Sequence, residues 1–196
     1  MTISALRAPP PDAGTLYRTY VRQVARWAGR LGGPSLDLED LVHEVFTIAH
    51  QRLPTFRGDS SVATWLFGIT DRVVRHRRRR ARWRHWLSGS AEDSAGHLAA
   101  PGPDPQRLAE IHETAHAVYR VLDRLPERDR QALILFELEE LTADQVGQLL
   151  GIQPGNARLR LHRARARFVR LFEKLEHAES DRDERSHLHV GQRQGT

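Results

Sequence analysis

The stretch from Ser88 to Pro105 is made of Ser, Gly, Ala, Asp and Pro, with almost nothing that can enter a core. A segment of that composition behaves as a flexible tether. The chain of 196 residues must therefore bury its apolar side chains twice, once on each side. Neither half alternates at period two, and both carry apolar residues at helical spacing. The sequence predicts an all-α protein of two small helical domains, the first over 12–87 and the second over 106–176. A flexible linker over 88–105 joins them, and a mixed-charge, disordered tail follows over 177–196.

In the first half, Leu16, Tyr20, Val24, Trp27 and Leu31 form one helical stripe that Gly32-Gly33-Pro34 stops. Asp37 is placed to cap a second helix with the stripe Leu38, Leu41, Val42, Val45, Ala49 and Leu53, which Pro54 ends. After the loop from Thr55 to Ser60, a third helix begins near Ser61. It places Val62, Trp65, Leu66, Ile69 and Val73 on one face and runs into Arg75-His76-Arg77-Arg78-Arg79-Arg80. The far end of that helix must be solvated or bound to an anion. In the second half, Leu108, Ile111, Ala115, Val118, Leu122 and Leu125 alternate at three and four before Pro126. Leu133, Leu135 and Phe136 mark a further helix.

Charge is unevenly distributed. Arg72 to Arg84 holds eight arginines and no acid, Arg158 to Arg170 six arginines and no acid, and Asp37 to Glu44 four acids and no base. Two basic stretches and one acidic stretch point to separate partners. Cysteine is absent, which excludes disulfide frameworks and thiolate metal sites. No run approaches the roughly 20 apolar residues of a membrane span, and Met1 to Pro11 lacks the apolar core of a signal peptide. The expectation is a cytoplasmic protein without membrane insertion.

The segment Thr142-Ala-Asp-Gln145 has capping-box form and opens a short helix ending at Leu150. Gly151 supplies a turn, and Pro154 suits the first position of the next helix, where its missing N–H is no loss. That helix places Ala157, Leu161, Ala164, Phe168, Leu171 and Leu175 on one face and Arg158, Leu159, His162 and Arg163 on the other. Cap, turn and basic face at these offsets describe a helix-turn-helix, whose second helix enters a major groove by its N-terminal end.

The order of motifs is more specific still. Asp37-Leu-Glu-Asp-Leu-Val-His-Glu-Val-Phe46, Phe56-Arg-Gly-Asp-Ser-Ser-Val-Ala-Thr-Trp-Leu66 and the basic helix end resemble region two of extracytoplasmic-function sigma factors. Leu122-Asp-Arg-Leu-Pro-Glu-Arg-Asp-Arg130, Glu137-Leu-Glu-Glu-Leu-Thr142 and Arg160-Leu-His-Arg-Ala-Arg-Ala-Arg167 resemble their region four. The resemblance runs from Leu16 to Leu175. It implies a non-enzymatic promoter-recognition subunit that binds core RNA polymerase, at the clamp of the largest subunit and the flap of the second, and opens promoter DNA. It also introduces anti-sigma proteins as a class of partner, which no residue here specifies by itself.

Carried over residue by residue, the resemblance puts Asp40, Leu41, Glu44, Val45 and Phe46 at the clamp contact, with His43 where the family has glutamine. Phe56, Arg57, Gly58, Asp59, Ser60 and Ser61 match the loop that captures a base flipped from the minus-ten element. Trp65 matches a family tryptophan and reads as a core anchor. Arg72, Arg75 and Arg77 to Arg80 are placed for backbone phosphates. Arg158, Leu159, Arg160, His162, Arg163 and Arg167 fall on the helix that reads the minus-thirty-five element, with Arg165 beside them. Arginine can bond guanine O6 and N7 together. Leu159 stands where the family has serine, and Asn156 and Ala157 also depart from it, so the family's preferred bases do not simply transfer.

Two rivals remain. A stand-alone helix-turn-helix regulator explains Thr142 to Arg167 equally well but leaves the acidic helix and the loop match without a role. His112-Glu113-Thr114-Ala115-His116 has the HExxH form of zinc peptidases, with two imidazoles one helical turn apart and Glu137 or Glu140 as a third ligand. Tyr119 stands where the longer metzincin form needs glycine, and no strand is present to hold a peptide. The expectation is therefore no catalytic residue, no metal and no cofactor.

Overall fold

The computed structural model describes residues 12–88 and 105–191. Most of the expected linker, and the end of the tail beyond Gly191, lie outside the described residues. Those residues form two helical units, each considered by itself below.

The N-terminal unit is a three-helix bundle: α1 (Ala13–Gly32), α2 (Leu38–Arg52) and α3 (Val62–Ser88), each packed on the other two. Asp12 caps α1, accepting from the Thr15 amide at 3.0 Å and from its hydroxyl at 2.6 Å. These bonds favour the ionised carboxyl and hold its pKa below the ordinary value. Gly33 closes α1 at φ 80, and Asp37 caps α2 by accepting from the Asp40 amide at 2.9 Å. A single 3-10 turn (Leu53–Thr55) ends α2 at Pro54. Ser61 opens α3, its hydroxyl accepting from the Thr64 amide at 3.1 Å. The core follows the helical stripes: Leu16, Val24, Trp27 and Leu31 meet Leu41, Val45 and Ala49, then Leu66, Phe67, Ile69, Val73 and Val74. Trp27 sits edge-on to Phe67 with ring centroids 5.3 Å apart.

The C-terminal unit comprises α4 (Pro105–Leu122), α5 (Glu127–Leu133), α6 (Ala143–Leu150) and α7 (Pro154–Gly191). Asp129, Arg130, Gln131, Ala132, Leu133, Ile134 and Leu135 are all buried in succession, so this segment is enclosed on every side rather than amphipathic. It continues as a π-helical turn over Ile134–Leu138. There the Glu139 amide donates to the Ile134 carbonyl and the Leu141 amide to the Leu135 carbonyl. Glu140 leaves the turn at φ 54, a left-handed conformation otherwise taken here by glycines. Such a residue costs about 1–2 kcal/mol, and glycine's extra chain entropy offsets roughly 0.5–1 of that. Glu140→Gly should thus raise stability by about 0.5–1 kcal/mol in urea unfolding. An unchanged midpoint would show that the site carries no strain.

The tail expected to be disordered from residue 177 is helical in backbone as far as Gly191, as a continuation of α7. No glycine or proline interrupts the sequence between Asn156 and Val190, and opposite charges such as Asp181 and Arg185 stand four apart. Both features favour helix. The expectation of disorder rests on the mixed charge of the tail.

Candidate nucleic-acid and partner interfaces

The helix-turn-helix is built as its sequence requires. The Gln145 side-chain carbonyl accepts from the Thr142 amide at 2.9 Å, and the Gln145 amide donates to the Thr142 hydroxyl at 3.4 Å. This reciprocal pair opens α6. At its other end Gly151 lies at φ 63 and the Ile152 amide donates to the Gly147 carbonyl at 2.9 Å, a Schellman closure. Ala157 and Ala164 are fully buried against the unit. That contact turns Arg158, Leu159, His162 and Arg163 outward, all exposed, with Arg160 partly so. Leu159 keeps 48% of its surface.

Two arginines of α7 are placed otherwise. Arg165 donates from Nε to Glu137 at 2.8 Å, with Nη2 at 2.6 Å from the same carboxylate oxygen. Arg167, expected among the minus-thirty-five contacts, pairs with the buried carboxylate of Asp129. A buried carboxylate needs a charged partner to be tolerated, so Arg167 joins α7 to α5. Beneath it, the wholly buried Arg130 has its guanidinium 5.6 Å from the Tyr119 ring centroid and 3.6 Å from Asp123.

In the N-terminal unit, α2 divides the residues expected at the clamp. Asp40 is exposed and Phe46 half-buried, its ring edge-on to Tyr17 of α1 at 4.8 Å. Leu41 and Val45 are 2% and 0% exposed and belong to the core. They hold α2 in place and cannot present themselves to a partner, which corrects the sequence expectation. A fully buried leucine or valine contributes about 1.5–3 kcal/mol to the fold. Glu44 is also engaged: Arg77 of α3 donates to it from Nε at 2.6 Å, and Nη2 lies 2.6 Å from the same oxygen. The groove of about 970 Å³ along α1 and α2 is lined by Tyr17, Glu39, Asp40, Val42, His43 and Phe46 among others. Tyr17 escapes the sequence reading because it lies on α1, outside the motif matched on α2, and Glu39 because the resemblance carries over only Asp40 and Glu44 among the acids of that motif.

The loop before α3 exposes Arg57, Gly58, Asp59, Ser60 and Ser61, with Gly58 at φ 64. Phe56 is half-buried against Trp65, with ring centroids 4.9 Å apart, so the tryptophan anchors the root of the loop. Along α3, Arg72 and Arg79 are exposed, and Arg75 pairs with Asp71 at 2.8 Å on its own helix. Arg78, expected to meet phosphate, is 6% exposed and packed into the unit. Arg77, Arg80 and Arg84 line a cleft of about 300 Å³ with Ser35, Asp37 and Asp40. The His112 to His116 pattern lies on α4 as spaced, with Glu113 exposed and His116 half-buried. Among the described residues no three histidine, aspartate or glutamate side chains gather into a set that could hold a metal ion. Among the same residues no helix is long and apolar enough to cross a membrane.

A family model for sigma-70 region 2 matches residues 16–84, and one for sigma-70 region 4 matches residues 115–168. The chain is similar to the ECF RNA polymerase sigma factor SigM of Mycobacterium tuberculosis. The two are 32% identical over 161 residues, covering 80% of this chain and 75% of that protein. It is 31% identical over 152 residues to the ECF RNA polymerase sigma-E factor of Escherichia coli, covering 74% and 78%. In fold it matches the sigma factor RpoE in its complex with the anti-sigma factor NepR from Bartonella quintana. That match has a TM-score of 0.55 and 22% identity, over 83% of this chain and 97% of that one.

Proposed function

Since this chain belongs to the extracytoplasmic-function sigma factors of the sigma-70 family, and so directs transcription initiation by RNA polymerase, we propose a division of that task among its surfaces. Asp40 and Phe46, with Glu39, His43 and Tyr17, form the contact with the clamp of the largest polymerase subunit. The loop Phe56 to Ser61 takes a base from the minus-ten element, and Arg72, Arg75 and Arg79 hold backbone phosphates. Arg158, Leu159, His162 and Arg163, with Arg160 at their edge, read the minus-thirty-five element, and the C-terminal unit as a whole meets the flap of the second subunit. Sigma factors are not enzymes. Family membership sets aside the stand-alone regulator and the zinc peptidase.

The observation that carries this reading is the sorting of arginine. Arg77, Arg165 and Arg167 are tied to carboxylates of another segment of their unit, whereas Arg72, Arg79, Arg158 and Arg163 face outward and the exposed Arg75 is paired only within its own helix. Only the outward set can meet DNA at no expense to the fold. The chain acts in the cytoplasm, and an anti-sigma protein of the kind that holds RpoE in its solved complex is a partner class for it. Transcription in vitro with core polymerase on a promoter library tests the assignment, since a chain that supported no initiation would overturn it.

The two arginine roles should separate in that assay. Arg163→Ala should lose discrimination at one minus-thirty-five position, because a bidentate base contact is worth about 1–3 kcal/mol. Arg72→Ala with Arg79→Ala should weaken all promoters alike and reduce the log–log salt slope by about 0.9 for each phosphate no longer held. Uniform loss from Arg163→Ala, with altered base preference from the α3 pair, would reverse the assignment.

A further inference from the structure

At its C-terminal end α3 exposes Trp83, Trp86 and Leu87, at 61%, 73% and 64% of their surface. The two indoles lie 5.5 Å apart, tilted by 44°. Large aromatic groups are seldom left so open, and here they stand at i and i+3 on one helix face. Successive steps of 100° bring Arg72, His76, Arg79 and Trp83 onto that same face, with Arg75 and Trp86 at one edge. Each of these side chains is exposed. From Arg72 to Trp86 the stripe spans about 21 Å at 1.5 Å per residue. Its basic part carries no acid between Arg72 and Arg84. The region 2 match ends at residue 84, so Trp86 and Leu87 lie beyond what that match covers.

A cationic track leading into paired, open indoles on one face has the chemistry of a single-stranded nucleic-acid surface. Arginines follow the backbone and aromatic faces accept bases of any sequence. An acidic protein partner would use the arginines but has no need of two aromatic faces. We propose that Trp83 and Trp86 form a stacking platform for unpaired promoter bases, extending the DNA contact of α3 past the phosphate stripe. This rests on the promoter-binding reading of α3 given above.

The test uses holoenzyme assembled from the full chain and core polymerase, with promoter probes carrying a short single-stranded gap at successive positions. The double variant Trp83→Leu/Trp86→Leu keeps apolar bulk but removes the aromatic faces, and Trp83→Phe/Trp86→Phe keeps them. The leucine variant should lose roughly 5- to 150-fold in affinity for the best gapped probe if one base is stacked, and about 30-fold or more if two are, while fully duplex probes change far less. The phenylalanine variant should recover most of that loss. Equal binding by the leucine variant would overturn the platform. A defect in core assembly, or lost binding to phosphatidylglycerol vesicles with gapped-DNA affinity intact, would overturn it in favour of a protein or a lipid surface. If wild-type holoenzyme initiates normally, any of these results leaves the promoter reading standing. If it supports no initiation, that reading fails first and the platform with it.

Discussion

Gly147→Ala should destabilise the C-terminal unit by roughly 0.5–3.5 kcal/mol and abolish dependence on the minus-thirty-five element. A Cβ at this position would lie 2.7 Å from the Ile152 carbonyl oxygen and 3.5 Å from the Pro154 nitrogen. Both are backbone atoms and have no rotamer by which to withdraw. Opening the turn would strain the bond from the Ile152 amide to the Gly147 carbonyl and shift the start of α7. Overpacking costs about 1–3 kcal/mol or more and the broken hydrogen bond about 0.5–1.5, against a helix-propensity gain of about 1 for alanine. A unit this small draws only about 3–5 kcal/mol from its core, so the upper end of that range is most of its stability. Thermal unfolding and transcription from promoters with and without the element would measure both effects. Gly155→Ala, where an added Cβ meets nothing within 4 Å, is the control and should change little. A normal melting curve for Gly147→Ala would show that close approach does not hold the turn.

Glu39→Lys combined with Asp40→Lys should reduce holoenzyme assembly by about 100-fold or more, because an acidic face implies a basic partner surface at the proposed clamp contact, and like charges across an interface cost several kcal/mol. Both carboxylates are exposed in the first turn of α2. There the helix dipole favours acid by only about 0.3–1 kcal/mol each, but Asp40 also lines the cleft with Arg77, Arg80 and Arg84, so unchanged helical content and melting of the variant are the control that separates assembly from folding. Charge reversal at Glu44, the other acid expected at the clamp, is a poorer test. A lysine there would sit beside Arg77 and loosen α2 from α3, confusing assembly with folding. Normal assembly of the Glu39/Asp40 variant with core polymerase would remove the clamp contact from this face.

Helical periodicity made most of the fold legible in advance. The stripes of α1, α2 and α3, the caps at Asp37 and Thr142 and the two faces of α7 all stand as their spacing implies. Sequence failed where a residue's role depends on what lies across from it. Leu41 and Val45 sit at the spacing that makes a helix amphipathic, and nothing local says which apolar residues meet the core and which meet a partner. Arg77, Arg165 and Arg167 look like their exposed neighbours until Glu44, Glu137 and Asp129 are brought against them from 28 to 38 positions away. Trp83 and Trp86 of α3 escaped the sequence reading because they stand among arginines that dominate that stretch, and spacing alone does not tell an exposed aromatic from a buried one.

The alternation along α7 also bears on how such a chain diversifies. Ala157, Ala164, Arg165 and Arg167 secure the helix from one side, while Arg158, Leu159, His162 and Arg163 are exposed on the other. Substitutions at exposed positions of that kind usually move stability by no more than about 0.5 kcal/mol. Under the proposed reading of the minus-thirty-five element, a duplicated copy can therefore drift at those four positions, one change at a time, through a series of folded intermediates toward a different set of genes. A designer could take the same route to an orthogonal promoter.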